Sequence, residues 1–426
     1  MLRVELRRRV YHDSIVLMLA SQRMAGLDGV EAAMAAMATP LNLEMLRDAG
    51  LWSDALAEAG ADDLVIAARG PASVAALALA EAALSERPRP RSEAGAPQSR
   101  TLRTAAAGFG SNLAVIATPG EHAAWLGWDA LQADLDVFCF SDNVSLADEV
   151  LLKDEALRRG RLFLGPDAGT CILDGVGLGF WNAVPRGPAG IVGASGTGIQ
   201  ELSCLLALQG VGVSQAIGVG GRDLSPEVGG RMAAEAIRRL DEDVETEVIA
   251  VVSKRQPGEL QLPSTRKPLL KGLDLTALAL ELGGGRLPEE PGQVDWEGPV
   301  DGIFSGGTLR DEAVAIWGSQ PRFSAVDYGA DEYTRGRPHP MIDNTLRLEA
   351  IRRSRGLVYL DVVLGRGAHP DPSAELAPAL AGRPAVVVLV GTEADPQRLS
   401  RQRAAFEAAG AQVFLSNANA ARALLR

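Results

Sequence analysis

Twice the chain runs from a short apolar stretch, through serine, glycine and threonine, straight into a segment of helical period. The first is AGIVGASGTG before IQELSCLLALQG, and the second is VDGIFSGGTL before RDEAVAIWG. A strand that feeds a helix through residues with almost no side-chain bulk is half of a right-handed crossover. Such crossovers build parallel sheets covered by helices, so the repeat fixes an α/β fold class. It also leaves the first helical N–H groups unpaired at the carboxyl edge of a sheet, where α/β folds bind ligands.

The same texture fills the rest of the chain. NLAVIATPG, DVFCFSDN and RLFLGPD read as strands around the helices HAAWLGWDALQAD and LADEVLLKDEALRRG. VSQAIGVGG and EVIAVVSK are strands around MAAEAIRRLDED, and GLVYLDVVLG, PAVVVLVGTEAD and QVFLSN are strands with the helix SRQRAAFEAAG. Residues 1–86 read as a small α/β domain, with strand LRVELRRRV, helix SIVLMLASQRMA capped by Asp13 or Ser14, strand DDLVIAARG and helix PASVAALALAEAALSE. GVEAAMAAMAT fits either state, because alanine and methionine suit both. RPRPRSEAGAPQSR marks a linker over 87–101, and GGGRLPEEPGQ a second, mobile connection over 273–298. Further domains are therefore expected at 102–185, 186–272 and 299–426. Two charged helices, LADEVLLKDEALRRG and SRQRAAFEAAG, read as solvated faces.

Composition removes several function classes. With 42 Lys+Arg against 54 Asp+Glu the net charge is -12, and no local basic face argues for nucleic acid. No apolar run reaches the roughly 18–20 residues of a membrane span. The opening MLRVELRRRVYHDS does not read as a signal peptide, so a cytoplasmic protein is expected. Cys139, Cys171 and Cys204 form neither a disulfide framework nor a CxxC knuckle, and Cys171 and Cys204 read as small buried hydrophobes. No metal site is expected.

Four stretches could carry chemistry. Ser195, Gly196, Thr197 and Gly198 form either an ordinary tight turn or an anion site made of helix N–H groups and hydroxyls. Ser305, Gly306, Gly307 and Thr308 repeat the arrangement and tilt the balance to the anion site. Two helix dipoles converging on one phosphate would stabilise it without a lysine. Neither turn is a Walker A loop or a GxSxG elbow. Gly221, Arg222 and Asp223 follow a strand, where Arg222 either grips a phosphate or carboxylate or pairs with its own aspartate. In GRPHPMID two prolines bracket His339, with Arg335 and Arg337 beside it and Asp343 following. That loop is either a carboxylate clamp with a general acid/base or a rigid surface turn; the scarcity of histidine, four in all, favours the clamp. His12, His122 and His369 read as structural or incidental, His369 being the reserve candidate.

At GPDAGT, GPAGIVGASGTG and GVGGRDLS the sequence resembles the FdrA family, relatives of the α subunit of succinyl-CoA synthetase. YHDSIVLM, FSDNVSL, SGGTLRDEA, YTRGRPHPMID, LDVVLG and GTEADP extend the resemblance from residue 11 to about 396. It implies a Rossmann-like CoA-binding-type domain followed by two flavodoxin-like ligase domains of the succinyl-CoA-synthetase type. In those enzymes a phosphohistidine lies between two helix N-termini, one from each ligase module, and the turns at 195–198 and 305–308 correspond in kind. Two departures stand out. The Gly-His-Ala-Gly expected after the strand ending at Lys254 is replaced by RQPGELQLPST, and the CoA loop expected before NLAVIATPG by TAAAGFGS. Both count against a phosphohistidine and against CoA. FdrA proteins also carry a further carboxyl-terminal extension, so a chain stopping at ANAARALLR resembles a short member.

FdrA proteins of ureide-catabolising bacteria look like subunits of an oxamate carbamoyltransferase, which converts oxalurate and phosphate to oxamate and carbamoyl phosphate. Carried onto this chain, the resemblance implies phosphate between the two helix ends, Arg337 or Arg335 on the substrate carboxylate, and His339 protonating the leaving nitrogen. The expectation is a carbamoyltransferase subunit of ureide or purine nitrogen catabolism, assembled with companion subunits into an oligomer. Phosphate and carbamoyl phosphate would be its substrates, no cofactor is certain, and CoA stays open as a ligand although the missing loop counts against it. An acyl-CoA synthetase that binds CoA and a non-catalytic scaffold subunit are the alternatives.

Overall fold

The computed structural model describes residues 2–10, 12, 14–85, 99, 101–253, 262–334 and 337–425. The chain divides into two compact units, Met1–Gln98 and Ser99–Arg426.

In the first unit β1 (Leu2–Arg7), α1 (Ser14–Ala25), β2 (Ala32–Met37), α2 (Pro40–Asp48), β3 (Leu64–Arg69) and α3 (Ser73–Ser85) follow in order. The sheet is antiparallel, β1-β3-β2. Ile66 and Ala68 of β3 pack with Leu17, Ala20 and Met24 of α1 and with Ala76 and Ala80 of α3; Val65 and Ala67 pack on the other face with Leu46 of α2. The ambiguous AAMAAM is a strand, with Ala32 opposite Arg69 and Met37 opposite Leu64. Its alanines bring α1 close enough for Ser21 Oγ to accept from Ala35 N–H at 2.8 Å, so a helix side chain partners a strand N–H that β3 does not.

The second unit opens with α4 (Leu102–Phe109), β4 (Leu113–Ile116), α5 (Gly120–Gln132), β5 (Asp136–Cys139), α6 (Leu146–Arg158) and β6 (Phe163–Leu164), and its three strands form a parallel sheet. A second sheet takes β7 (Thr170–Leu173), β8 (Val176–Gly179), β9 (Ala189–Gly193), β10 (Val213–Gly218), β11 (Val248–Val252) and β12 (Leu269–Gly272), in the order β12-β11-β9-β10-β7-β8. On one face Ile199, Leu202 and Leu205 of α7 (Gly196–Leu208) pack with Leu275 and Leu278 of α9 (Leu275–Gly283). Met232, Ala236 and Ile237 of α8 (Arg231–Glu242) pack with Ile217 and Val251 from the other face. The stretch 273–298, expected as a mobile connection, therefore contains an ordered helix: the alternating LTALALELG buries Leu275, Leu278 and Ala279 against α7.

The third sheet is wholly parallel. It contains β13 (Val300–Phe304), β14 (Phe323–Asp327), β15 (Leu357–Val363), β16 (Ala385–Val390) and β17 (Gln412–Phe414), in the order β14-β13-β15-β16-β17. Interleaved are α10 (Gly307–Trp317), α11 (Asp331–Thr334), α12 (Thr345–Arg353), α13 (Pro372–Leu380), α14 (Leu399–Ala408) and α15 (Asn417–Ala423). Numbered from β13 this is the 2-1-3-4-5 order of flavodoxin-like sheets, and β9 to β12 follow the same order over four strands. Fold class is thus α/β, with two doubly wound modules. In each, the first strand lies at the switch point, where chains leave the sheet in opposite directions and ligands bind at its carboxyl edge.

Helix α6 is not a solvated face: Glu149 and Lys153 are fully buried, and Lys153 Nζ bonds Glu149 Oε1 at 2.7 Å, Asp223 Oδ1 at 2.8 Å and Val219 O at 3.1 Å. The charged pair faces inward because its third partner arrives from the loop after β10.

Candidate active site at two helix starts

Helices α7 and α10 begin where β9 and β13 end. Ser195, in extended conformation, caps α7, its Oγ accepting from Gly198 N at 3.2 Å. Gly306 caps α10 with no side chain to do so. Counted from the caps, Gly196 and Thr197 match Gly307 and Thr308. The two starts abut. Thr308 Oγ1 donates to Ser195 Oγ at 2.5 Å, and a Cβ at Gly306 would lie 2.4 Å from Thr197 Oγ1. A Cβ at Gly198 would meet Val252 Cγ1 at 2.7 Å and Thr308 Cγ2 at 3.0 Å. Glycine at these positions is what lets the two amino ends, and so the positive ends of the two dipoles, meet. Ser195 Oγ accepts twice and so keeps its own proton for another partner.

The same register exposes a pair that sequence reading missed. Five residues into each helix stand Glu201 and Glu312, both buried. Asn417 joins them: its N–H donates to Glu201 Oε1 at 2.9 Å and its Nδ2 to Glu312 Oε2 at 2.7 Å. Glu312 Oε1 also accepts from Leu275 N at 2.7 Å. Burial, reinforced by the Glu312 carboxylate, pushes Glu201 well above the usual carboxylate range, and burial brings Glu312 up to about 7. The signal was present in the sequence as GTGIQE and GTLRDE, a shared GTxxxE.

The two serines have different fates. Ser305 is fully buried and gives both its N–H, at 2.7 Å, and its hydroxyl, at 3.0 Å, to Asp361 Oδ1. Arg347 Nη1 lies beneath, bonded to Asp361 O at 2.5 Å. Burial raises Asp361 to about 6 even with Arg347 opposing it. Ser305 therefore holds its strand end in place, and its hydroxyl is already spent.

His339 stands near the α10 start. The position a Cβ would take on Gly329 lies 2.7 Å from His339 Nε2 and 2.6 Å from Ser305 O. Its Nδ1 accepts from Met341 N at 3.2 Å, and burial with the nearby Arg347 charge brings the ring down to about 4. A neutral ring so held carries its proton on Nε2 and offers a hydrogen bond rather than a proton. At neutral pH such a ring is not a source of a proton, which counts against the general-acid expectation. Arg337 is exposed beside it, and Arg335 lies outside the described residues.

The other expected contacts have structural partners. Asp223, expected on substrate, is fully buried and caps α8 through Met232 N at 3.1 Å and Ala233 N at 2.9 Å, besides holding Lys153. Arg222 donates to Val144 O at 2.7 Å and pairs with Glu149 Oε2 at 2.9 Å, and Gly221 backs onto Asp167. Asp343 Oδ1 accepts from Thr345 N at 2.9 Å at the start of α12, and His369 Nδ1 accepts from Asp371 N at 3.1 Å. All three cysteines are buried, and burial lifts the Cys139 thiol to about 11 and Cys171 to about 12. The replaced CoA loop, TAAAGFGS, lies in and just beyond α4, closed by a Thr101–Thr104 capping box. The first turn of α5 carries the exposed Glu121, with His122 beside it at 3.7 Å, and no lysine or arginine. TAAAGFGS itself carries no lysine or arginine, and Arg103 precedes it in the first turn of α4.

Three family models match. Residues 303–425 fit the CoA-ligase domain, 186–259 the CoA binding domain, and 1–101 "AllF, heavy metal-associated domain". Among the described residues of that last stretch no donor set suited to a heavy metal is seen. None of the three cysteines falls within 1–101, and Asp63 is spent on Arg8, Arg9 N and Gly60 N. No cluster of three or more metal-ligating side chains occurs among the described residues. Uncharacterized protein YahF of Escherichia coli K12 is 34% identical over 498 aligned positions, covering 98% of this chain and 96% of that protein. The α subunit of ADP-forming succinate–CoA ligase from Aquifex aeolicus is 30% identical over 166 residues, 38% of this chain and 53% of that subunit. The dinucleotide-forming acetyl-coenzyme A synthetase 1 of Ca. Korarchaeum cryptofilum, with phosphate and ADP, aligns over 73% of this chain and 81% of that one, at 13% identity and a TM-score of 0.30. By its full-length likeness to YahF and its CoA-binding and CoA-ligase domains, the chain belongs to the FdrA-like, succinyl-CoA-synthetase-like family.

Proposed function

We propose that the chain is the phosphate-handling subunit of an acyl-transfer enzyme of the CoA-ligase class, in which an acyl–phosphate bond is made or broken at the two helix starts. One observation carries the reading: the Thr308–Ser195 hydroxyl pair, 2.5 Å apart, joins the amino ends of the two helices. Backbone N–H groups of both first turns, together with the unspent Ser195 proton, suit a tetrahedral dianion. His339 Nε2–H, beside α10, suits the carbonyl oxygen of the acyl group.

Within that class, carbamoyl transfer is the second reading. It is favoured by the absence of histidine from RQPGELQLPST; the four histidines are His12, His122, His339 and His369. Phosphate oxygen would attack the carbamoyl carbon of a ureide such as oxalurate, and the C–N bond to the oxamate nitrogen would break. The proton of monohydrogen phosphate passes to that nitrogen, leaving carbamoyl phosphate. Arg337 would hold the substrate carboxylate. In this reading the chain works in the cytoplasm with companion subunits.

Calorimetric titration with phosphate, acetyl phosphate, carbamoyl phosphate and CoA separates the readings. Ser195→Ala should weaken phosphate binding about tenfold, the effect of one hydrogen bond to a charged group. Carbamoyl phosphate binding tighter than acetyl phosphate favours carbamoyl transfer. Heat from CoA with none from either acyl phosphate would overturn the phosphate site.

A further inference from the structure

The two helix starts are alike in backbone but unlike in what surrounds them. At α10 the hydroxyl just before the cap, Ser305, is consumed by Asp361. At α7 a different hydroxyl arrives from outside the module's own crossover. Thr170 opens β7, at the end of the loop GPDAGT that leaves β6. It is 1% exposed, and its Oγ1 has no hydrogen-bond partner among the described residues. That oxygen lies 3.0 Å from where a Cβ on Gly196 would be, directly against the first turn of α7, and Gly169 Cα lies 3.4 Å from the same point.

The placement is fixed from both sides. Phe180 N donates to Gly169 O at 2.8 Å, and a Cβ at Gly218 would lie 2.2 Å from Thr170 O, so the backbone is wedged between the hairpin and the end of β10. A threonine hydroxyl buried without a partner is costly, and valine would fill the same space without that cost. Ser195 and Thr170 thus both bring uncommitted hydroxyl protons to the start of α7, whereas at α10 the neighbouring serine has none to give.

We propose that Thr170 is a binding residue whose hydroxyl donates to a phosphoryl oxygen at the amino end of α7, making α7 the primary phosphate-holding half of the site. The ligand class is a phosphate dianion, free or as the phosphoryl end of an acyl phosphate. This inference rests on the proposed phosphate site and adds to it which helix holds the anion.

The test is calorimetry on the full chain with inorganic phosphate and with acetyl phosphate, comparing wild type, Thr170→Val and Thr170→Ser, with thermal unfolding of each. Thr170→Val should weaken both anions about tenfold while its melting temperature holds or rises, and Thr170→Ser should bind nearly as wild type. The tighter of the two anions in wild type names the form the site holds. Wild-type affinity in Thr170→Val overturns the assignment of Thr170 and leaves the phosphate site standing. A loss confined to acetyl phosphate also overturns it, because the hydroxyl would then touch the acyl group. A wild-type chain that binds neither anion overturns both this inference and the site beneath it. Weakened binding together with a lowered melting temperature would mark Thr170 as a packing residue and overturn its contact with ligand.

Discussion

Lys153→Met should lower the unfolding free energy of the chain by on the order of 3–5 kcal/mol, the cost of removing one partner from a buried ionic cluster. Lys153 is fully buried between two carboxylates, Glu149 at 2.7 Å and Asp223 at 2.8 Å, and also donates to Val219 O at 3.1 Å. Methionine fills similar volume, so the loss comes from two buried carboxylates that lose the cation between them, Glu149 keeping only Arg222 on its other oxygen. Asp223 cannot turn to solvent, because its oxygens also cap α8 through Met232 N and Ala233 N. The damage therefore reaches across the unit, from α6 beside the three-stranded sheet to α8 on the six-stranded one. Urea unfolding reads it as a lower midpoint at an unchanged slope. An unchanged midpoint would mean that Glu149 and Asp223 are compensated without Lys153, by Arg222 and the α8 N–H groups.

That cluster also shows where the sequence is legible and where it is not. The strand–glycine–helix repeat is a local pattern, and both doubly wound modules and both helix starts follow from it. LADEVLLKDEALRRG is equally local but misleading: a Glu–Lys pair at i,i+4 reads as solvated until Asp223, 70 residues away in sequence, closes over it. The two serines make the same point. Ser195 and Ser305 occupy the same written motif, yet only Ser305 meets a carboxylate, because Asp361 on the neighbouring β15 is in reach. His339 was singled out by its rarity and its prolines. Its neutrality depends on burial and on Arg347, eight positions along the sequence and brought near by α12. Glu201 and Glu312 were readable as a repeated GTxxxE, but a glutamate on a helix is ordinarily surface, and only burial gives the repeat a meaning.

Glu201→Gln should flatten the decline in stability that the chain undergoes as pH rises above neutrality. Glu201 and Glu312 are both held above the ordinary carboxylate value, chiefly by burial, so the folded chain keeps protons that the unfolded chain releases. Their contribution is complete below the unfolded value of 4.5 and is lost as pH rises through the folded values, which for Glu312 is about 7. Each group costs about 1.4 kcal/mol per pH unit between those limits. Carboxylates held low act in the opposite sense: Glu155, brought down to about 2 by Arg158 and Arg159, supports the fold above its unfolded value and fails it only in acid. His339, held near 4, has finished titrating in both states by pH 8. Asp361, raised to about 6, has the same sign as the glutamates, but the substitution leaves it in place, so it cancels in the comparison. Between pH 6 and 9 the difference between the two profiles therefore isolates the glutamate pair. Glutamine keeps the acceptor that Asn417 N–H uses and cannot ionise, so the variant's melting temperature should fall less steeply across that range than the wild type's. Parallel profiles would show that Glu201 does not carry the proton. The proton would then belong to Glu312, whose Oε2 accepts from Asn417 Nδ2, and Glu201 would be the charged member of the pair.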